Sequence, residues 1–272
     1  MSSPILKVSN LDVSYVNGGK VQQVIRDVNF EITPGSVLGI IGESGAGKSS
    51  LALALMGLHD PHLVNVNGEV IFQSQDLLTL GEADLCRVRG SGIGMIFQDP
   101  SGALDPAMRV DDQVAEAIRL HGTEDRKESQ RLAGKYLAEV GITEDILEVA
   151  PYAHQLSGGL CQRAMIAAAT ACNPEILIAD EPTSSLDVTL QAQIIELLNV
   201  RRRAGLAIIF ISHDLALVSS FADEIMVLFE GEVVESGSCV EVMSRPRHAY
   251  TIDLISFWKV NQIIGGSAHA PA

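Results

Sequence analysis

The sequence predicts an α/β fold built on a largely parallel sheet, with an N-terminal β-subdomain and a helical insertion. Continuous apolar runs at Val37–Ile41 and Leu206–Ile211 are typical of strands that are buried on both faces. Strand-like Ile176–Ala179 is followed by helix-like Leu190–Arg203, and strands that alternate with helices indicate parallel pairing. A polar, helix-prone stretch at 100–165 interrupts this alternation, which indicates an insertion into the sheet domain.

The first third of the chain has the residue pattern of short paired strands. Strand-like segments at Leu6–Val8 and Asp12–Tyr15 precede Asn17-Gly18-Gly19, whose residue types are typical of a hairpin turn. Another strand is predicted at Val28–Ile32, and Thr33-Pro34-Gly35 ends it. These features predict an antiparallel β-subdomain ahead of the first buried strand.

A glycine-rich segment separates the strand Val37–Ile41 from a predicted apolar helix at Ser49–Gly57. The segment matches the pattern G-x-x-x-x-G-K-S/T throughout. Glycines allow successive backbone N–H groups to point inward at an anion, and the helix N-terminus adds its positive dipole end. A chance glycine-rich turn is the alternative, but the strand–loop–helix context favours a phosphate site and a P-loop NTPase (RecA-like) core. The predicted nucleotide contacts are Gly42, Glu43, Ser44, Gly45, Ala46, Gly47, Lys48, Ser49 and Ser50.

Two acidic residues, Asp180 and Glu181, follow the strand Ile176–Ala179 at the end where α/β folds place their sites. Lys48 is predicted to reach the β- and γ-phosphates of a nucleotide, and the Ser49 hydroxyl to ligate Mg²⁺. Asp180 is predicted to hold Mg²⁺ through its water shell, and Glu181 to polarise the attacking water. Taken alone, this pair favours the interpretation of two solvated acidic side chains at the end of a strand. Beside a P-loop, it favours metal-assisted hydrolysis.

The helical insertion carries one clear amphipathic face. Leu132, Tyr136, Leu137 and Val140 share a side of a predicted helix, and Gly141 follows as a plausible C-cap. This face supports the prediction that the insertion at 100–165 is helical.

The last part of the chain completes the predicted organisation. Ile225–Phe229 and Val233-Val234 are predicted as closing strands, and the tail from about Lys259 as loose. The predicted domains are a nucleotide-binding core with its β-subdomain at 1–99 and 166–240, a helical subdomain at 100–165, and a short C-terminal segment at 241–272.

The composition argues against some classes of function. The 272 residues include 34 acidic and 19 basic ones, so that the formal net charge is −15. Phosphate backbones attract basic surfaces, and this balance argues against a nucleic-acid partner. Scattered cysteines indicate neither a disulfide framework nor a zinc site. The first residues lack the pattern of a signal peptide, and no apolar run approaches the roughly 18 residues of a membrane helix.

Four further segments, in a fixed order, make a family resemblance specific. Gln98 follows the strand-like Ile93–Phe97, and Leu156-Ser157-Gly158-Gly159 opens an apolar helix. Ser185-Leu186-Asp187 comes just after the acidic pair, and His213 follows the last buried strand. Together with the P-loop, these motifs resemble the ATP-binding-cassette (ABC) ATPases over about residues 5–255.

The resemblance implies that ATP lies between two subunits. Ser157 is predicted to cap its helix, while Gly158 and Gly159 leave backbone N–H groups open to an anion. In the family this helix start faces the γ-phosphate held by the opposite subunit. Asp187 is expected at the dimer seam. Without the other motifs, an ordinary capped helix is the preferred interpretation.

The resemblance also implies roles around the reacting phosphate. Gln98 is expected to contact Mg²⁺ or the lytic water and to couple the site to a membrane partner. His213 is expected to contact the γ-phosphate and to orient Glu181 and its water. Tyr15 matches the aromatic that stacks on adenine, although a strand tyrosine is often a core residue. The expected catalytic residues are Glu181, His213, Gln98 and Lys48, and the expected metal ligands are Ser49, Gln98 and Asp180.

Three segments resemble the ATPases of oligopeptide, dipeptide and nickel importers: Gln98-Asp99-Pro100, Ala103-Leu104-Asp105-Pro106 and His248-Ala249-Tyr250-Thr251. The resemblance implies two transmembrane permease subunits, a second ATPase subunit, an indirect solute-binding protein, and a peripheral location at the cytoplasmic face of the membrane. Many peptide-importer members carry a longer C-terminal extension with clustered cysteines, whereas only Cys239 lies in that region of this chain. The resemblance therefore favours the nickel or metallophore-type members and argues against an iron–sulfur cluster. The rival is a non-transport ABC ATPase that acts as an ATP-driven clamp.

The signature departs from the family pattern at Leu160-Cys161, where a Gln or Met and then a basic residue are usual. Leu160 is expected to be tolerated, because the phosphate contacts come from Ser157 and the glycine backbone. The missing charge at Cys161 is expected to lower activity at the site that this signature completes.

Overall fold

The computed structural model describes residues 3–122, 125–148 and 151–266, with side chains described as far as Lys259. Within these ranges the strands are β1 Leu6–Asn17, β2 Lys20–Ile32, β3 Val37–Ile41, β4 Val64–Phe72, β5 Gln75–Asp76, β6 Ile93–Ile96, β7 Ile176–Asp180, β8 Ala207–Ile211, β9 Glu224–Phe229 and β10 Glu232–Ser238. The helices are α1 Lys48–Leu55, α2 Glu82–Val88, α3 Pro100–Ala103, α4 Val110–His121, α5 Arg126–Glu139, α6 Glu144–Glu148, α7 Gly158–Ala171, α8 Val188–Arg203, α9 Leu215–Phe221, α10 Cys239–Ser244 and α11 Ala249–Gly266.

The central sheet has the strand order β10-β9-β3-β8-β7-β6. The pairs from β9 to β6 are parallel, and β10 adds an antiparallel edge. Every residue of β3, β7 and β8 is buried, as the continuous apolar runs predict. Parallel strands align their carboxyl ends, so the loops after β3, β7 and β8 meet at one edge of the sheet. The predicted α/β fold class is confirmed.

A second sheet, β2-β1-β4-β5, is antiparallel throughout. Its first hairpin pairs Asn17 with Lys20 across Gly18 and Gly19, whose φ angles are +55° and +78°. Glycine adopts this left-handed region without a steric cost, which explains why the turn forms there. The predicted hairpin is confirmed. Strands β4 and β5 were not predicted from the sequence.

Along the chain, helices α3 to α7 come between β6 and β7, which are paired neighbours in the central sheet. In α5, Leu137 is fully buried, while Leu132 and Tyr136 pack partly buried against the same core. The helix ends at Glu139, and Gly141 follows with φ +76°, as the predicted C-cap requires. The predicted amphipathic face is confirmed, and the domain limits proposed from the sequence stay a prediction.

The prediction of a loose tail from about Lys259 is wrong as far as Gly266, because α11 continues to that residue. Helix α11 is anchored where it begins: the carboxylate of Glu235 accepts hydrogen bonds from the N–H groups of Arg247 at 2.8 Å and His248 at 3.0 Å. These bonds occupy donors that a helix start leaves free. Residues 267–272 lie outside the described ranges. Among the residues described, no helix is both long and apolar enough to cross a bilayer.

Candidate functional site

The P-loop joins β3 to α1 with backbone that has no room for side chains at two positions. Gly47 precedes the helix with φ +102°, and a Cβ there would lie 2.6 Å from the carbonyl oxygen of Val24. A Cβ on Gly42 would overlap the carbonyl oxygen of Leu228. Glycine is therefore required at both positions, by close approach and, at Gly47, also by backbone conformation. The loop is held against β2 on one side and β9 on the other.

Lys48, the first residue of α1, reaches back over this loop. Its Nζ donates to the carbonyl oxygens of Gly42 and Glu43, each at 2.8 Å. Burial lowers the pKa of Lys48, while the carboxylates of Glu181 and Asp180 act in the opposite direction. A cation is thus placed at the mouth of a backbone anion nest, beside the positive end of a helix dipole.

Asp180 is the last residue of β7, and only 3% of its surface is exposed. Burial raises the pKa of its carboxyl group, and a hydrogen bond from the Ser49 side chain acts against that rise. A hydroxyl next to a carboxylate is a set of hard oxygen donors, which Mg²⁺ prefers. Within the described residues no group of three or more His, Cys, Asp or Glu side chains forms a metal cage. One carboxylate and one hydroxyl fit Mg²⁺, because this ion usually binds few protein ligands and takes the rest from phosphates and water.

Glu181 follows directly, with φ +50° and 8% exposure. Its Oε1 accepts a hydrogen bond from the backbone N–H of His213 at 3.1 Å and lies 2.8 Å from the ring Nδ1. The left-handed backbone is uncommon for a residue with a Cβ, and such strain is frequent at functional sites. The backbone N–H of Glu181 donates to Ile211 O at 2.9 Å, which fixes the turn after β7 to the end of β8.

These groups line one cleft of about 390 Å³. It gathers ten of the residues predicted from the sequence: Ser44, Gly45, Gly47, Lys48, Ser49, Ser50, Gln98, Asp180, Glu181 and His213. Gly42, Glu43 and Ala46 belong to the same loop but do not line the cleft. Val24 of β2 also lines it, and sequence reasoning missed this residue because nothing in its strand pattern points to a site.

Tyr15 lies beside the cleft rather than in its lining. Its hydroxyl is 3.2 Å from the Ser50 Oγ, and its ring meets His59 edge-on with centroids 5.9 Å apart. The His59 Nε2 is 2.9 Å from the carbonyl oxygen of Ser50. His59 therefore connects the ring of Tyr15 to α1, a contact that the sequence does not indicate.

The signature and Asp187 are not brought to this cleft. Ser157 accepts a hydrogen bond from the N–H of Leu160 at 3.3 Å, so it caps α7 as predicted. Asp187 caps α8 by accepting from the N–H of Leu190 at 3.0 Å. A Cβ on Gly159 would lie 3.4 Å from the Leu186 side chain, so the start of α7 adjoins the segment before α8. Within one chain, Ser157, Gly158, Gly159 and Asp187 form a group separate from the P-loop cleft.

Comparison with known proteins decides the family. The sequence model of the ABC transporter family matches residues 25–184, more than half of the chain. The chain belongs to the ABC transporter family. It is an ATPase of that family.

Relatives of this ABC ATPase align over nearly the whole chain. A Brucella abortus (strain 2308) relative whose name refers to peptide import is 44% identical over 256 residues, which are 94% of this chain and 77% of the relative. The oligopeptide transport ATP-binding protein OppD of Haemophilus influenzae is 42% identical over 93% of this chain and 78% of its own length. A dimeric, post-hydrolysis structure of the ATP-binding cassette MJ0796 with ADP and Pi has a TM-score of 0.78 at 28% identity, covering 86% of this chain and 98% of that one.

The unusual signature residue of this ABC ATPase, Cys161, lies in the core. It is 2% exposed, and its thiol donates to the carbonyl oxygen of Ala153 at 3.3 Å. Two positions later, Arg163 donates to the carbonyl oxygens of Gly141 at 2.8 Å and Gly159 at 3.4 Å. A positive charge therefore contacts the signature from Arg163. The expected loss of activity from Cys161 stays a prediction.

Proposed function

We propose that this ABC ATPase hydrolyses ATP to power an importer of peptide-like solutes across the cytoplasmic membrane. The observation that carries the proposal is the single cleft in which the P-loop lysine, a buried aspartate and a strained glutamate with its histidine partner converge. The name of one relative refers to peptide import, which supports the direction of transport, and the names of two others refer to oligopeptide transport, which supports the solute class.

In this proposal the nucleotide phosphates lie on the P-loop backbone, with Lys48 against the β- and γ-phosphates. Ser49, Asp180 and Gln98 would hold Mg²⁺. When bound, ATP supplies the anhydride bond that is cleaved, and Mg²⁺ offsets the charge on its phosphates. The donor set supports this assignment, since Ser49 and Asp180 both line the cleft and the Ser49 side chain counters the rise in the pKa of the Asp180 carboxyl group.

Glu181 is proposed to accept a proton from the attacking water, and His213 to keep the carboxylate in place. The two contacts from His213 to Oε1 restrict rotation of the glutamate side chain. A base that is already oriented lowers the barrier because no reorganisation accompanies the reaction. Catalysis is then mainly positioning and charge stabilisation, as is general for phosphoryl transfer.

The second half of each nucleotide site is proposed to come from another ATPase subunit. Ser157, Gly158, Gly159 and Asp187 lie outside the cleft of their own chain, and Val188 next to them is 81% exposed. The start of α7 at Gly158 and Gly159 leaves backbone N–H groups that can bind a phosphate from a partner. The partner is an identical or a related ATPase subunit. Tyr15 is proposed to stack on adenine.

The coupling surface is proposed to lie around Gln98. This residue lines both the nucleotide cleft and an adjoining groove of about 410 Å³. Apolar side chains of Leu53, Met95, Phe97 and Ala103 line the groove. A groove that shares a residue with the catalytic cleft suits the docking of a transmembrane permease subunit, and the importer is proposed to have two such subunits. The ATPase would then sit peripherally at the cytoplasmic face, and a solute-binding protein would act through the permeases.

The class of transported solute is the most specific part of the proposal. Relatives named for peptide or oligopeptide transport favour a peptide over nickel or a metallophore, which remain the alternatives. An ATP-driven clamp on nucleic acid is disfavoured by the net charge of −15.

The test is Glu181→Gln, with Glu196→Gln on the exposed face of α8 as the matched control. Glu181→Gln should bind MgATP like the wild type and lose phosphate release, while Glu196→Gln should keep both. Hydrolysis at the wild-type rate in Glu181→Gln would remove Glu181 as the base. Co-purification of the wild type with membrane permeases tests transport, and binding to nucleic acid in their place would favour the clamp.

A further inference from the structure

The C-terminal helix α11 reaches back to the P-loop through one side chain. The hydroxyl oxygen of Tyr250, in the first turn of α11, accepts a hydrogen bond from the backbone N–H of Glu43 at 2.9 Å. Its ring stacks on Phe229 at the end of β9, with centroids 4.2 Å apart and planes 30° apart. The two residues joined by this hydrogen bond are 207 positions apart in the chain.

The phenol of Tyr250 is held independently of that hydrogen bond. Glu235 on β10 fixes the start of α11 by accepting from the N–H groups of Arg247 and His248. Burial disfavours ionisation of Glu235, but the hydrogen bonds from the start of α11 outweigh it and leave its pKa below the usual value. The ring is fixed by Phe229. Contacts with β9 and β10 of the central sheet therefore hold the Tyr250 hydroxyl at the P-loop.

The peptide group that Tyr250 contacts is the one that also holds the P-loop lysine. In a trans peptide the carbonyl of Gly42 and the N–H of Glu43 point to opposite sides. On one side the Gly42 carbonyl accepts from Lys48 Nζ at 2.8 Å, and on the other the Glu43 N–H donates to Tyr250. The next carbonyl, that of Glu43, accepts from the same Nζ. Rotation of this peptide would move the acceptors of Lys48.

We propose that Tyr250 is a positioning residue for nucleotide binding, because it fixes the Gly42–Glu43 peptide and with it the ammonium group of Lys48. The inference rests on the proposed function, since it assigns the P-loop to ATP. The hydroxyl preorganises the loop, so that less ordering accompanies the arrival of the phosphates. The segment His248-Ala249-Tyr250-Thr251, which resembles importer ATPases, thereby gains a role at the nucleotide site.

The test compares Tyr250→Phe, which keeps the stacked ring, with Tyr136→Phe, which removes a tyrosine hydroxyl that bonds Asn173 far from the cleft. We expect Tyr250→Phe to raise the Kd for MgATP and the KM by about three- to tenfold, the worth of one hydrogen bond. The kcat should stay within about twofold, because the lost hydrogen bond stabilises the bound ground state and the transition state equally. Tyr136→Phe should leave all three unchanged.

A second pair of variants replaces two glutamates of β10, outside the P-loop. Glu235→Gln loosens the start of α11 without touching the P-loop, and it should raise the Kd for MgATP in the same direction. Glu232→Gln, an exposed glutamate of the same strand that pairs with Arg26, is its control. A Tm lowered in Tyr250→Phe with an unchanged Kd would show a purely structural anchor and overturn the inference.

The wild type and Lys48→Ala separate this inference from the proposed function. Wild-type protein that binds no MgATP would overturn both. Binding by the wild type that is lost in Lys48→Ala, but unchanged in Tyr250→Phe, would overturn only the role of Tyr250.

Discussion

Glu181 Oε1 lies 2.8 Å from the ring Nδ1 of His213 and accepts the backbone N–H of the same residue at 3.1 Å. One oxygen of the carboxylate is thus held by two groups from the loop after β8. The glutamate side chain is 10% exposed, whereas the histidine side chain is 73% exposed, so the buried carboxylate is joined to a side chain in the open cleft.

His213→Ala should reduce turnover of ATP by about tenfold or more, because the base loses the ring contact and keeps only the backbone N–H of residue 213. Binding of MgATP should change little, since the P-loop is untouched. Phosphate release and equilibrium binding measure the two effects. His62→Ala, an exposed histidine outside the cleft, is the control, and equal turnover in both variants would contradict the role of His213.

Asp187→Ala should lower the Tm by a few degrees, because α8 loses a cap worth about 1 kcal/mol. Asp187→Asn keeps an oxygen that can accept from the N–H of Leu190 and should keep the wild-type Tm. Thermal unfolding measures the difference. Should both variants unfold at the wild-type temperature, the cap would not stabilise the helix. Lower activity in Asp187→Asn at an unchanged Tm would support a place at the dimer seam.

Alkylation of the native protein should modify Cys86 first. Cys86 is exposed, whereas burial raises the pKa of Cys172 to about 11 and raises the pKa values of Cys161 and Cys239 as well. Thiolates are the reactive form, so the other three thiols should react slowly at pH 8. Mass spectrometry after brief treatment with iodoacetamide should show one modification, and none in Cys86→Ser. Rapid labelling of Cys161 would contradict its buried position.

Glu235→Gln should destabilise the protein at pH 7 and progressively less at acid pH. The pKa of Glu235 in the folded protein lies below the ordinary 4.5, so ionisation favours the folded state. This contribution is complete above about pH 4.5 and disappears as the pH falls through the folded-state pKa. The Tm gap between wild type and Glu235→Gln should therefore narrow from pH 7 to pH 4. A constant gap would exclude the carboxylate as its cause, and Glu232→Gln should stay near the wild-type Tm.

The parts that the sequence predicts well are those in which a fixed spacing coincides with a buried strand. The P-loop follows β3 and the acidic pair ends β7, so motif and strand pattern point to the same edge of one sheet. The contact between Tyr250 and Glu43 has no such signal, because it depends on the packing of residues 207 positions apart. Val24 enters the cleft for the same reason, since only the packing of β2 on the P-loop brings it there.

Cys161 shows that a motif comparison and a helical pattern answer different questions. Compared with the family signature, its position lacks a charge. On the helix, however, Cys161 shares a face with Ala164 and Met165, at spacings of three and four residues, and all three are buried. The helical period of α7 therefore predicts an interior thiol, whereas the motif alone directs attention to the surface.

Gly42 and Gly47 place the P-loop against two different sheets. Gly47 packs closely against the backbone of β2, which belongs to the antiparallel sheet. Gly42 packs closely against the backbone of β9, which belongs to the central sheet. At both positions the atom nearest to an added Cβ would be a backbone carbonyl oxygen, that of Val24 for Gly47 and that of Leu228 for Gly42. A side chain at position 42 would therefore push the loop away from β9, and one at position 47 would push it away from β2, so each glycine keeps the loop in contact with a different sheet.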